Sequence, residues 1–402
     1  MSKKTVLISG ASVAGPALAF WLERYGYAVT VVERAPAPRP GGYAVDFRGA
    51  SLKVLDRMGL LAAVEAEATQ MGDMIYVNKK GKKLATSPAG NISGELEILR
   101  GDLVEILYDA TRARVEYVFD DSITSLRQDA TGVDVTFERG TSRRFDLAVG
   151  ADGLHSNVRG LAFGPEKNFL HELGYYASVC TVENHLGLNH TGQLMNSPGK
   201  TVGTYSARDN TEAKALFYFA SESLDYDRRD LATQKQIVAE TFEGEGWETP
   251  KLLDGMREAP DFYFDSVSQI KLDSYSNGRV ALVGDAGYCA SPLSGMGTSL
   301  GIVGAYVLAG ELHAAAGDHA KAFHEYDEVM RGFVEACQKQ GADGAMWFIP
   351  GSRWFIAFRN LNFRLMPYLP WRKVIEEMPL KVGNKVEIRD YAAPTRQPVV
   401  PQ

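Results

Sequence analysis

Short apolar, β-branched runs punctuated by glycine-rich turns open the chain. Thr5-Val-Leu-Ile-Ser9 predicts a buried strand, Gly10 to Gly15 a tight turn into a helix, and Ala28-Val-Thr-Val-Val32 a second strand ending at Glu33. Helical periodicity covers Ser51 to Ala68, with a break at Gly59, and Arg100 to Arg112, where Leu103, Ile106 and Leu107 share a face. Val115 to Phe119, Ser122 to Gln128 and Val133 to Phe137 predict strands. The last two alternate around Ala130-Thr-Gly132, a hairpin signal. From about Gly164 to Gln269 the runs Tyr175 to Val182, Thr201 to Ser206 and Ala215 to Ala220 predict a mixed or antiparallel sheet, interrupted by helices near Gln234 to Phe242 and Pro250 to Ala259. Lys321 to Lys339 predicts a long helix. Ala345 to Pro350 and Trp354 through Trp371 then form a dense apolar, aromatic stretch dotted with arginine.

Three segments carry candidate chemistry. The first is the strand, glycine turn, helix and strand from Thr5 to Glu33, the βαβ pattern of dinucleotide binding, with Ser12 where a middle glycine normally stands. The second is Asp146 to Arg159, where a strand runs into Gly150-Ala-Asp152-Gly153 and Ser156 is placed to cap the next helix. The third is Val280-Ala-Leu-Val-Gly284-Asp285-Ala286, then Pro292 and Ser294-Gly295-Met296-Gly297, opening the apolar run Leu300 to Leu312. A carboxylate at the strand end accepts from sugar or ribityl hydroxyls, while the glycines and the helix N-terminus offer backbone N–H groups to negative charge. That combination suits a bound flavin.

Composition narrows the class. A chain of 402 residues, 45% hydrophobic and 23% charged, is long enough for one extended core or two joined ones. The net charge of −7 comes with no basic stripe, which argues against nucleic-acid binding. Cys180, Cys289 and Cys337 are odd in number and widely spaced, as in a reducing cytoplasm. Lys3-Lys4 before an apolar run does not make a secretory signal, and no apolar run reaches the ~18 residues of a bilayer span. His185, His190 and Cys180 lack metal-ligand spacing. Cys289 reads as a small buried thiol rather than a redox-sensitive one, and Tyr205, Phe217 and Phe219 read as core rather than pocket lining.

Gly10 to Gly15 with Glu33, Gly150-Ala-Asp-Gly153 with Arg159, and Gly284-Asp285-Ala286 with Pro292 and Gly295-Met-Gly297 resemble the three fingerprints of FAD-dependent aromatic hydroxylases, the para-hydroxybenzoate hydroxylase-like class. Gly41-Gly42-Tyr-Ala-Val-Asp46 and Leu99-Arg100-Gly-Asp102-Leu103 are most similar to the tetracycline-inactivating and polyketide-tailoring monooxygenases. The resemblance runs to about residue 340. It departs at Gly287-Tyr288, where the family often has histidine, and at Thr298-Ser299, where it often has asparagine.

The resemblance implies an α/β fold: a discontinuous Rossmann-like FAD-binding domain (1–163 and 270–317), an inserted mixed β-sheet substrate domain (164–269), a C-terminal helical region (318–380) and a polar tail (381–402), loose from Ala393 to Gln402. Gly10, Ser12, Val13, Ala14 and Gly15 would face the FAD pyrophosphate, Glu33 the adenosine ribose and Arg34 the adenine side. Arg100 would contact the ribityl-pyrophosphate stretch, and Asp152 and Gly284 would complete the cofactor turns. Asp285 would bind the ribityl chain, and Pro292, Gly295, Met296, Gly297 and Thr298 would line the isoalloxazine. Asp46 would sit near the ring edge, and Arg39 or Arg48 would meet NADPH. The implied activity is NADPH- (or NADH-) and dioxygen-dependent oxygenation of a bulky aromatic or polyketide-like compound through a flavin hydroperoxide, with no side chain nominated as acid or base. A monomer in the cytoplasm, without integral membrane association, is favoured.

Two other activities stay open. One is a flavoprotein that sequesters an aromatic compound without turnover. The other is a flavin-dependent halogenase, whose Trp-x-Trp-x-Ile-Pro segment Met346-Trp-Phe-Ile-Pro350 only partly imitates. The C-terminal aromatic stretch reads first as helices packed on both domains and second as a cap over the substrate opening. Peripheral membrane association is a third reading, and the expected basic helix face is too sparse to support it.

Overall fold

A computed structural model describes residues 3–39, 41–89, 93–368 and 380–391. Its first sheet has the spatial order Ser276–Asn277, Val280–Leu282, Leu147–Gly150, Thr5–Ser9, Ala28–Glu33, Glu116–Phe119. All its neighbours run parallel except the Ser276–Asn277 edge. The three strands that precede the candidate chemical segments, Thr5–Ser9, Leu147–Gly150 and Val280–Leu282, lie side by side. Their C-terminal turns therefore meet at one edge of the sheet, where ligands bind in open α/β folds.

The local devices follow the sequence. Gly59, at φ 74, ends the helix Ala50–Met58 before Leu61–Ala66 begins, so the expected break is real. Ser156 Oγ accepts from Arg159 N at 3.0 Å and caps Asn157–Ala162. Ile123–Gln128 and Val133–Phe137 pair as the expected hairpin, and Arg143–Phe145 extends it. The helix Gly297–Ala314 is buried on every side from Ser299 to Leu312, and it packs against Ala14–Arg24 and against His319–Phe348. That last helix is longer than Lys321 to Lys339, because Asp318 caps its start and the chain turns only at Ile349-Pro350.

The second large sheet has the order Tyr263–Ile270, Leu170–Val182, Glu212–Ala220, Lys200–Ala207, Gly192–Ser197, Met74–Val77, Lys83–Ser87. Residues 164–269 therefore do not supply all of it. Met74–Val77 joins in parallel register with Gly192–Ser197 and brings Lys83–Ser87 as the edge. One face of this sheet is covered by the helices Leu231–Phe242 and Thr249–Glu258, around a core that holds Phe217 and Phe219. Those two phenylalanines are core, as the sequence suggested. The other face carries Tyr205, whose Oη accepts from Ala44 N at 3.1 Å, and Tyr218, whose ring meets Phe348 edge-on at 5.0 Å.

The segment 380–391 is polar and largely exposed, yet it is anchored to the fold. Val386 and Tyr391 are buried, because Tyr391 Oη donates to the buried Glu311 carboxylate at 2.6 Å and Arg389 pairs with the same group at 2.8 Å. Trp371 and Ala393 to Gln402 lie outside the described residues.

Candidate functional site

The glycine turn after Thr5–Ser9 is shaped by close backbone approach. A Cβ on Gly15 would stand 1.9 Å from Gly10 O, so no other residue fits there without moving the turn. Glu33, buried at the end of the second strand, accepts from Ala11 N and Ala35 N, each at 2.9 Å, and fixes the turn to that strand. Ser12 Oγ accepts from Arg100 Nη1 at 3.2 Å. Among the described residues the Arg100 guanidinium meets no carboxylate. It stands instead over Gly42, where an added Cβ would lie 2.9 Å from its Nε.

Asp152 follows the strand Leu147–Gly150. Its carboxylate accepts from Ser156 Oγ and Val158 N, and burial raises its pKa. Arg159 is fully buried and ties this turn to the third segment, donating to Leu154 O at 2.7 Å and Ala286 O at 2.9 Å. Burial likewise raises Asp285, with the Cys289 thiol as a partner. The same burial, and Asp285 itself, push Cys289 well above the usual thiol range, so it is the inert buried thiol the sequence suggested.

Gly295 turns at φ 60, and a Cβ there would lie 3.2 Å from Asp46 Oδ2, so Asp46 faces the glycine loop. Met296 itself points inward. Its side chain is fully buried and its N–H donates to Ser294 Oγ at 3.1 Å. The amides of Gly297 and Thr298, first in their helix, have no intrahelical acceptor. Ser299, in place of the family's asparagine, bonds Ser51 Oγ at 2.9 Å and accepts from Arg48 N at 3.2 Å, so it supports the loop from behind. Pro292 is exposed at the start of this loop, and Arg34 and Arg39 are exposed outside the buried cluster. Arg48, the alternative to Arg39, is a buried residue paired with Asp46 at 3.3 Å, not a surface cation.

Sequence reading missed two sets of residues here. Glu97 lies directly across the strand pair from Asp46, and the two carboxyls share a hydrogen bond. Burial and then the Asp46 charge push Glu97 up to about 8, while Thr69 Oγ1 donates to it at 2.5 Å. Asp46 is raised by burial as well, with Arg48 opposing. A pair of carboxyls this close holds a proton at neutral pH. The second set is aromatic: Tyr43, Tyr218 and Tyr263 line the space between the loop and the second sheet, with Tyr43 and Tyr263 rings 5.7 Å apart. Burial raises the Tyr43 hydroxyl to about 12, and its field is shared with Arg100 and Asp285.

The arrangement is a groove with a guanidinium that meets no carboxylate among the described residues at one end, a half-buried carboxylate in the middle and helix-start amides at the other. It suits a long ligand carrying anionic, hydroxylated and carbonyl-bearing parts in that order. The family model described as an FAD binding domain matches residues 3–337. The chain belongs to the FAD-dependent aromatic hydroxylases. It is an FAD-dependent monooxygenase. Among relatives, it is 51% identical over 354 residues to the uncharacterized protein Rv1260 of Mycobacterium tuberculosis, covering 87% of this chain and 94% of that one. It is 42% identical over 346 residues to a flavin-dependent monooxygenase of Legionella longbeachae, covering 85% and 89%. The crystal structure of the tetracycline destructase Tet(51) superposes with a TM-score of 0.85 at 36% identity, covering 97% of this chain and all of that one. The groove of this monooxygenase has the donor set FAD requires. The Asp285 carboxylate, half-buried beside a thiol, meets among the described residues no hydroxyl donor that would offset its lost hydration.

Proposed function

We propose that this monooxygenase oxygenates a bulky polycyclic aromatic compound of the tetracycline or polyketide kind, with electrons from NADPH (or NADH) and one atom from dioxygen. FAD, when bound, supplies the redox and oxygen-transfer chemistry, and the protein positions, excludes water and tunes charge. In this reading Arg100, Ser12 and the turn Gly10 to Gly15, with Val13 and Ala14 at the helix start, hold the pyrophosphate. Glu33 takes the ribose, and Arg34 lies on the adenine side. Asp285 accepts from ribityl hydroxyls, Asp152 and Gly284 shape the turns beneath, and the Gly297 and Thr298 amides face the ring carbonyl. Pro292 and Gly295 lie along the ring and Asp46 at its edge. Arg39, exposed at the mouth, meets NADPH.

The observation that carries the substrate class is the aromatic wall. Tyr43, Tyr218, Tyr263 and Phe348 stand opposite the glycine loop, in a chain similar along nearly its whole length to a tetracycline destructase. Flat ring faces bind fused rings, and a buried Tyr43 hydroxyl, protonated at neutral pH, donates to a ring oxygen. The test is incubation of the FAD-loaded protein with NADPH, labelled dioxygen and a panel of tetracyclines and polycyclic phenols. One labelled oxygen in the product, with substrate-stimulated NADPH consumption, supports the reading. Recovery of every compound unchanged, with no NADPH consumed, favours sequestration instead.

A further inference from the structure

Large apolar side chains are exposed mainly in one place. Of the nine such residues among those described, seven fall between Met346 and Tyr368: Met346, Trp347, Trp354, Phe358, Leu361, Leu365 and Tyr368. Four of them, Trp354, Phe358, Leu361 and Leu365, are spaced i, i+4, i+7, i+11 on the helix Arg353–Leu365 and form one stripe along its outer face. Trp354 is 88% exposed. The helix cannot roll to bury the stripe, because its inner face is pinned to the second sheet. Arg359, fully buried, lies over the Tyr76 ring at 4.2 Å and donates to Asn196 Oδ1 at 2.7 Å, and Phe363 stacks on the same tyrosine at 5.4 Å.

Charge distinguishes this face from the rest of the molecule. The chain carries −7 overall, yet the helix has no acidic residue and, besides the buried Arg359, carries Arg353 and Arg364 exposed. The fold adds what the helix sequence lacks. Arg364 Nε donates to Leu84 O, which holds the C-terminal half of the helix against the edge strand Lys83–Ser87. The turn leading into that strand, Asn78-Lys79-Lys80-Gly81-Lys82-Lys83, is exposed from Lys79 onward. Asn78 Oδ1 fixes it by accepting from Lys80 N at 2.9 Å and Lys82 N at 3.0 Å, and among the described residues only Lys79 of this turn is drawn to a carboxylate, Glu245 at 2.9 Å.

We propose that this face docks peripherally on an anionic lipid bilayer, with the stripe in the headgroup boundary and the lysine turn against the lipid charge. An interfacial helix needs an apolar stripe, amphipathic aromatics and flanking cations, and here two separate segments supply them together. A second copy packed across a two-fold axis would instead bring the lysine turn against its twin, so like charges would oppose it. The sparse basic face of the helix alone is thus completed by a turn about 270 residues earlier in the chain, a sequence distance that hides the pairing.

The test is co-sedimentation of the full-length, FAD-loaded protein with vesicles of phosphatidylcholine alone or with about one-third phosphatidylglycerol. Binding should rise with phosphatidylglycerol and fall with added salt. At roughly fivefold per lysine, Lys80→Gln, Lys82→Gln and Lys83→Gln together should lower partitioning roughly 100-fold. Trp354→Ser with Phe358→Ser should also remove it, and melting curves unchanged from the parent would show that both variants fold. No binding to either vesicle, or binding indifferent to phosphatidylglycerol and to the lysine changes, overturns the proposal. So does a concentration-dependent dimer that Phe358→Ser dissolves while vesicle binding is absent.

Discussion

Two carboxyls facing each other across a short strand pair decide the charge at the edge of the groove. Glu97 is raised to about 8 by burial and by Asp46, so the folded protein holds a proton there that the unfolded chain releases near pH 4.5. A raised acid contributes stability that is complete below the unfolded pKa and is lost as pH rises through the folded one. Glu97→Gln removes that titration while keeping the hydrogen-bonding shape. Its melting temperature should match the parent below about pH 4.5 and exceed it increasingly up to about pH 8, where the difference levels off, as scanning calorimetry across that range would record. A constant difference across the range would mean Glu97 is ionised throughout. Asp46 was legible because it ends the run Gly41-Gly42-Tyr-Ala-Val-Asp46, a local signature. Glu97 was not, because its role exists only through the register Asp46↔Glu97 between strands about 50 residues apart.

The elements that carry the site were legible where their signals are contiguous. The glycine turn, the Gly59 break and the Ser156 cap each act within a few residues, and the apolar helix Gly297–Ala314 announces its burial by being apolar all round. Met74–Val77 and Lys83–Ser87 were missed because four- and five-residue strands gain their identity from a parallel neighbour about 118 residues later. The anchoring of segment 380–391 was missed for a related reason. Most of its polar residues are exposed, but Tyr391 and Arg389 complete the hydrogen bonding of Glu311 on the buried helix and so anchor the segment. Tyr391→Phe leaves one lone pair of that carboxylate without its donor and should cost about 1–3 kcal/mol. A melting temperature lower by a few degrees with unchanged FAD affinity is the expected result, and an unchanged melting temperature would show that the segment only rests on the surface.

At the scale of the molecule, the two large sheets must hold a fixed distance for one cofactor and one substrate to meet. His155 bridges them: its Nδ1 lies 3.0 Å from Glu166, and its Nε2 lies 2.9 Å from Asp265 on the second sheet. Burial pulls the imidazole down, but the hydrogen bonds to Asp265 and Glu166 outweigh it and hold its pKa above the usual value. Arg159 and Arg228 share Glu166 and temper that rise. The stabilisation is therefore full below about pH 6.5 and is lost as pH rises through the higher folded pKa. His155→Gln should be destabilised most near pH 6, with the gap narrowing toward pH 9 in chemical denaturation. A gap that widens with pH would refute the clamp.

The central claim is that one FAD lies along the groove from Arg100 to Gly297. Titration of the flavin-free protein with FAD, followed by flavin fluorescence, tests it most directly. The account predicts saturation at one FAD per chain, and binding weaker by roughly 10- to 100-fold in Arg100→Met, the loss of one charge-assisted hydrogen-bonding group. A protein that takes up no FAD, or an Arg100→Met variant that binds it as tightly as the parent, would contradict it.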